Sequence, residues 1–165
     1  MTVREILKLG NPKLYKVSEE VEASEVEEIH VVIQDLHDTM MNFRKEYGVG
    51  RAIAAPQIGV MKRVVYMHID SPVLFLNPVL KNKSEEMIEI WDDCMCFPDL
   101  LVRVRRHKRI TIEYRDQNWE LQSLDLEDDL SELLQHEYDH LNGILAVMRA
   151  IDGKSFSSTS QKHLL

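Results

Sequence analysis

The chain has 165 residues, of which 44% are hydrophobic and 29% charged, and its formal net charge is −8 at pH 7. This length suits one domain over residues 1–165 and is too short for two ordinary ones, and the Ser-rich tail at 152–165 is a candidate flexible segment. The acidic balance argues against nucleic acid as the main partner, and no apolar run approaches the ~20 residues that a membrane span needs.

The first predicted element is an amphipathic helix over residues 24–47. Its apolar residues recur at steps of three and four and therefore share one face, namely Val26, Ile29, Ile33, Leu36, Met40 and Phe43. Gly48 and Gly50 are expected to end it. Charged residues interrupt the first ten positions, which argues against a signal peptide, so we expect a cytoplasmic protein.

Short runs rich in branched and aromatic residues follow Pro56 and predict strands at 63–69, 73–76 and 109–114. The basic stretch at 103–109 stands out in an acidic chain. No aromatic side chains interleave it, as they would in a single-stranded nucleic-acid site, so we interpret it as a strand flank with solvated charges.

A second helix is predicted over residues 126–141, with Asp125 as its cap and acidic residues in its first turn, where the helix dipole favours negative charge. One long helix, several short strands and a second helix predict an α+β fold. We expect mostly antiparallel sheets packed around this second helix.

The second helix carries the sequence His136-Glu137-Tyr138-Asp139-His140. Two histidines four residues apart lie on one helix face and can bind one metal ion, and the glutamate can act on a water molecule there. At about 100° per residue, Leu130, Leu133 and Leu141 share the face of His140, which we expect to pack inward. Glu132, Gln135 and Asp139 fall on the other side.

A catalytic metal needs a third protein ligand. The usual downstream positions do not supply it, because Ala146 stands where a third histidine would be and no glutamate follows Glu137. Cys94 is the strongest upstream candidate, because a thiolate binds zinc or iron well. A disulfide between Cys94 and Cys96 would be strained, because one residue separates them.

Three segments together resemble the motifs of the peptide deformylase family. GRAIAAPQ at 50–57 is similar to G-x-G-x-A-A-P-Q, DDCMC at 92–96 to E-G-C-L-S, and QHEYDHL at 135–141 to Q-H-E-x-D-H-L. The three occur in the family's order, and weaker similarities extend over nearly the whole chain. The chain is therefore identified as a divergent, deformylase-like member.

The resemblance implies one divalent metal ion held by Cys94, His136 and His140, with Fe²⁺ as the first choice and Zn²⁺, Ni²⁺ or Co²⁺ as alternatives. A metal-bound water would be the nucleophile, and Glu137 would act as general base and then as general acid. The Gln57 amide and the Met95 backbone N–H would hold the oxyanion. The implied reaction is N-terminal methionine processing, in which N-formylmethionyl peptides release formate.

Several motif positions depart from the family. Ala52 replaces a glycine, Asp92 and Asp93 replace the Glu-Gly pair, and Cys96 replaces a serine. Aspartate tolerates fewer backbone conformations than the glycine that it replaces.

Charged residues also stand where the family usually has apolar ones beside the substrate side chain, at Arg51 and Glu132. They could pair with each other, or Arg51 could bind the α-carboxylate of a free N-formyl amino acid. The simpler expectation is that both point to solvent at the rim. The full set of substrate-pocket candidates is Gly50, Arg51, Ala52, Ile90, Asp93, Glu132 and Leu133.

Three functions fit these residues: a deformylase of peptides or of free N-formyl amino acids, a metalloprotease with a cysteine ligand, and a non-catalytic binding protein with the deformylase fold. Only the first explains the motif at 50–57. Bacterial relatives often dock on ribosomes through a basic C-terminal helix, but the tail here has only Lys154 and Lys162, so the ribosome contact is not carried over.

Overall fold

The computed structural model describes residues 2–165, which form two α-helices and eight strands in two antiparallel sheets. The longer helix, α1 (Val26–Tyr47), follows a 3-10 turn at Ala23–Glu25. Gly48 ends it in the left-handed conformation at φ 74°, with its N–H bonded to the carbonyl of Arg44. The predicted helix and its glycine stop are thus confirmed, and its buried apolar residues are Ile29, Leu36, Met40 and Phe43.

The larger sheet has the strand order β1-β2-β3-β6-β7. Its strands are β1 (Ala52–Ala54), β2 (Val64–His68), β3 (Pro72–Lys81), β6 (Arg109–Arg115) and β7 (Leu121–Glu127). The strands predicted at 63–69, 73–76 and 109–114 all lie here, although β3 continues further than expected. A bulge between Leu76 and Val79 lets β3 pass Pro78, and Asn77 sits at this bulge with φ 48°.

The smaller sheet has the order β4-β5-β8, formed by β4 (Met87–Asp92), β5 (Leu100–His107) and β8 (Phe156–Ser158). No strand was expected in these segments. The candidate flexible tail contributes β8, which pairs with β5, and then a 3-10 helix at Thr159–Leu164.

The second helix, α2 (Asp128–Leu141), packs against β1, β2, β6 and β7 of the larger sheet and against β5 of the smaller one. It begins two residues later than predicted, because β7 runs on through Glu127. Asp125 is therefore not its cap; this residue lies in β7 and accepts a hydrogen bond from the hydroxyl of Thr111 at 2.7 Å.

Because α2 lies between two sheets, the face opposite its histidines is also buried. Gln135 and Asp139, which lie on that face, are buried. Glu132 was expected there too and is also buried, but it lies one turn before His136 on the face of the histidines. The side-chain amide of Gln135, for example, donates to the carbonyl of His107 at 2.8 Å. Neither helix within residues 2–165 is long and apolar enough to cross a membrane.

Candidate active site

The structure brings the three predicted metal ligands together, from two elements far apart in the chain. Cys94 lies two residues beyond the end of β4, and His136 and His140 lie one turn apart on α2. Their ligand atoms are all within 4.8 Å of one another, and the Cys94 Sγ lies 3.4 Å from the His140 Nε2. All three residues are buried.

This donor set fits a divalent cation. One sulfur and two imidazole nitrogens are the ligands of a catalytic site with one open position. Beside them, the Oε2 atom of Glu137 is buried with no hydrogen-bond partner among the described residues. A buried acceptor without a partner is costly, so this oxygen is available to a ligand bound at the site.

His136 is oriented by Asp92, whose Oδ2 lies 2.8 Å from the His136 Nδ1. This contact keeps a proton on Nδ1 and leaves Nε2 as the atom that can bind a metal, once Nε2 has lost its own proton. Burial lowers the pKa of His136, but the charge of Asp92 outweighs burial and raises it to about 9. Burial raises the pKa of Asp92, but the charges of His136 and Arg106 outweigh burial and bring it down to about 2. Aspartate therefore serves here in place of the family's longer glutamate.

Asp92 in turn is held by Arg106, which also binds the far side of α2. The Arg106 guanidinium lies 3.0 Å from Asp92 and 2.6 Å from Asp139, and Asp139 also accepts from Arg149. Arg106 is only 3% exposed, so the interpretation of 103–109 as solvated charges is wrong for this residue. A signal was present in the sequence, because Arg106 shares a strand face with Val102 and Val104, which are both buried.

Burial shapes the acid–base properties of the other site residues. It raises the pKa of Glu137 to about 7, so this carboxyl group can either accept or release a proton near neutrality. It lowers the pKa of His140, which is therefore a neutral imidazole. It also raises the pKa of the Cys94 thiol, because a thiolate without a nearby cation is poorly solvated in the interior.

The two predicted oxyanion donors lie next to the ligands. Gln57 is in a short 3-10 turn after β1, and its Oε1 accepts the Ala54 N–H at 2.8 Å. That bond directs its Nε2 toward the Sγ atoms of Cys96 and Cys94, at 3.5 and 3.8 Å. The backbone N–H of Met95 makes no hydrogen bond within residues 2–165.

The other motif departures are accommodated. Ala52 is buried in β1, where it pairs with Met67. Asp93 is exposed and is not among the residues with positive φ, so its position does not require a glycine backbone. Cys96 is buried and accepts a hydrogen bond from Gln57 in place of the family's serine.

A cavity of about 790 Å³ opens onto this site and reaches Gln57, His136 and Glu137. Of the seven substrate-pocket candidates, Ile90 does not line it, whereas the remainder do: Gly50, Arg51, Ala52, Asp93, Glu132 and Leu133. Sequence reasoning missed Thr159 and Lys162, which line the cavity because β8 brings the tail back to β5.

Arg51 and Glu132 form an ion pair across the cavity wall. The Arg51 Nη2 lies 3.1 Å from the Glu132 Oε1, and its Nη1 lies 3.0 Å from Asp129. Of the alternatives, the structure contains the mutual pair. The expectation that both side chains point to solvent is wrong for Glu132, which is buried.

Comparison with known proteins gives one consistent result. A family model described as polypeptide deformylase matches residues 3–156. The chain is 36% identical to peptide deformylase 1 of Prochlorococcus marinus, over 98% of this chain and 88% of that protein. It is 37% identical to a peptide deformylase of Pseudothermotoga lettingae, over 88% and 81%.

Solved structures agree with the sequence matches. The peptide deformylase of Thermotoga maritima superposes with a TM-score of 0.84 at 29% identity, over 92% of this chain and all (100%) of that one. The Ehrlichia chaffeensis peptide deformylase, solved in complex with actinonin, gives a TM-score of 0.85 at 28% identity, over 94% and 92%.

Proposed function

Because the chain belongs to the polypeptide deformylase family, and is thus a hydrolase that removes the formyl group from N-formylated peptides, we propose that Glu137 is its general base. The observation that carries this proposal is a buried carboxylate with an unpartnered oxygen next to three converging metal ligands. The metalloprotease and non-catalytic alternatives are set aside, because the family match spans all three motifs.

Enzymes of this family use a divalent metal, and here Cys94, His136 and His140 would hold it. Fe²⁺ is our first choice of ion, and Zn²⁺, Ni²⁺ and Co²⁺ suit the same sulfur and nitrogen donors. When bound, such a cation lowers the pKa of a water molecule and polarises the formyl carbonyl.

The protein's own residues would then move the proton and hold the charge. Glu137 accepts the proton of the attacking water and later delivers it to the leaving amine, which its pKa of about 7 permits in both directions. The Gln57 amide and the Met95 N–H donate to the oxygen that becomes negative. The products are formate and a peptide with a free α-amine.

We further propose that the substrates include N-formylmethionyl peptides and that the protein acts in the cytoplasm.

The test is formate release from formyl-Met-Ala-Ser by metal-loaded wild type and by Glu137→Gln. We expect the variant to lose at least about 100-fold in kcat, because the general base is gone, while it keeps its metal. Glu127→Gln is the matched control, since it makes the same change at the exposed residue that immediately precedes the same helix. A fully metallated Glu137→Gln within tenfold of wild type would contradict the proposal.

A further inference from the structure

We propose that the ion pair of Arg51 and Glu132 determines which first side chain this enzyme accepts, and that it favours a side chain ending in a hydrogen-bond donor over the thioether of methionine. This inference rests on the proposed function, because it concerns the substrate of that same site. It would extend the substrates to N-formylated peptides that do not begin with methionine.

The position of the pair is the first reason. Glu132 lies one helical turn before His136, so the two side chains share a face of α2. Both line the cavity that also contains Glu137. In an N-formylated peptide only the amide nitrogen separates the formyl carbon from the first Cα, a distance of about 2.5 Å. The first side chain of the substrate must therefore contact the cavity wall next to the reacting carbon. Arg51 and Glu132 lie in that part of the wall.

The chemistry of the pair is the second reason. The Glu132 side chain is only 9% exposed, against 84% for the other partner of Arg51, Asp129. Only Oε1 of Glu132 is hydrogen-bonded within residues 2–165, so its second oxygen is an available acceptor. A thioether placed against this carboxylate would remove water from it without replacing the lost hydrogen bond. An amide or ammonium group would supply that bond.

The same geometry argues against capture of a free amino acid. Both terminal nitrogens of Arg51 already pair with carboxylates of α2. Asp129 is 84% exposed and does not line the cavity, so within the cavity an α-carboxylate would have to displace Glu132. That would leave a buried carboxylate without its partner, which is unfavourable. We therefore assign the pair to recognition of the side chain.

The experiment compares kcat/KM for formyl-Gln-Ala-Ser and formyl-Met-Ala-Ser, whose first side chains are similar in length. The double variant Arg51→Leu/Glu132→Leu makes this wall apolar, and replacement of a buried ion pair by apolar residues is usually tolerated. We expect the Gln-to-Met ratio to fall by at least about tenfold in the double variant, the scale on which pockets discriminate between single groups. Lys81→Leu/Glu113→Leu removes an ion pair away from the cavity and should leave the ratio unchanged.

Glu132→Gln covers the case in which the double variant does not fold, because it keeps the size of the side chain. It should reduce the preference for formyl-Lys-Ala-Ser over the formyl-norleucine peptide by about tenfold. The inference is overturned if a folded variant keeps its substrate ratio within threefold of wild type. That ratio is Gln-to-Met for the double variant and Lys-to-norleucine for Glu132→Gln.

The same preference can be measured without turnover, as the ratio of the Kd values of the product tripeptides Gln-Ala-Ser and Met-Ala-Ser for the metal-loaded protein. We expect the double variant to lose the preference for Gln-Ala-Ser in this measurement too. If wild type released no formate from any peptide, the proposed function would fail. If formate release were intact and the ratios unchanged, only the inference about the ion pair would fail.

Discussion

Replacing Arg106 by leucine should both destabilise the protein and weaken its metal site. Arg106 lies between two carboxylates, Asp92 and Asp139, at 3.0 and 2.6 Å, and is almost fully buried. Leucine keeps part of the apolar stem of the side chain but leaves both carboxylates without this partner.

Removing one partner of a buried ion pair costs about 3–5 kcal/mol. The lower end applies here, because Asp139 keeps Arg149 and Asp92 keeps His136. We therefore expect a loss of about 3 kcal/mol in the free energy of unfolding, or about 6–12 °C in Tm for a chain of this length.

Without Arg106, Asp92 should be held less firmly and should therefore orient the His136 ring less well, because Asp92 contacts the Nδ1 atom of that ring. Loss of such an outer contact typically costs 10–100-fold in metal affinity. Arg106 acts through Asp92 rather than on the histidine itself, so we expect about tenfold.

The assay is urea unfolding of the metal-free protein, together with competition for zinc against a chelator of known affinity. Arg105→Leu is the control, because Arg105 is the neighbouring residue on β5 and forms only an exposed pair with Glu89. It should change stability by less than about 0.5 kcal/mol. Equal stability losses in the two variants would refute the reasoning, and so would an unchanged zinc affinity in Arg106→Leu.

Three further predictions test the fold and the metal. Gly143→Ala should lower the free energy of unfolding by about 2 kcal/mol or more, because φ is +71° and a Cβ would collide with the carbonyl of Tyr15. Gly153→Ala is the control: it has open space around it and should be nearly neutral in thermal unfolding. Asn77→Ala should lower the free energy of unfolding, measured in urea, by about 2–3 kcal/mol. The Asn77 side chain donates one hydrogen bond to the backbone of Val21 and accepts another from it, at 2.8 Å each, and its φ is positive. A loss below about 0.5 kcal/mol would contradict this reasoning. Removal of the metal with a chelator should abolish formate release and lower Tm. Re-addition of zinc at 100 times its Kd should raise the free energy of unfolding again by about 2.7 kcal/mol. A Tm that does not respond to metal would contradict the proposed metal site.

The local features of the fold were predictable where one signal dominates. The helix at α1 follows from its apolar periodicity and ends at Gly48, whose left-handed backbone suits glycine. The strands of the larger sheet with branched residues were also found. By contrast, β4, β5 and β8 were missed, because β4 and β5 mix charged and apolar residues and β8 has only three residues. Both β4 and β8 pair with β5, and this pairing is not visible in the sequence of either strand alone.

The candidate site shows the same division. The two candidate ligands on α2 follow from their spacing, and Cys94, which was predicted as the third donor, lies beside them. The roles of Asp92 and Arg106 were not found, because they depend on how β4 and β5 pack against α2. Periodicity along α2 identified the inward face but could not reveal that the opposite face is also covered, since a single helix carries no information about a second sheet.

The central position of α2 limits the amino-acid substitutions that this enzyme can tolerate. The same fourteen residues that carry His136, Glu137 and His140 also join the two sheets. Selection for turnover and selection for foldedness therefore act on one short segment. In a saturation library scored separately for abundance and for turnover, α2 should tolerate few replacements by either measure, even at Gln135, which lies outside the cavity. Apart from Glu132, which pairs with Arg51 at the cavity, new specificities should arise more readily through the strands and the tail that border the cavity than through this helix.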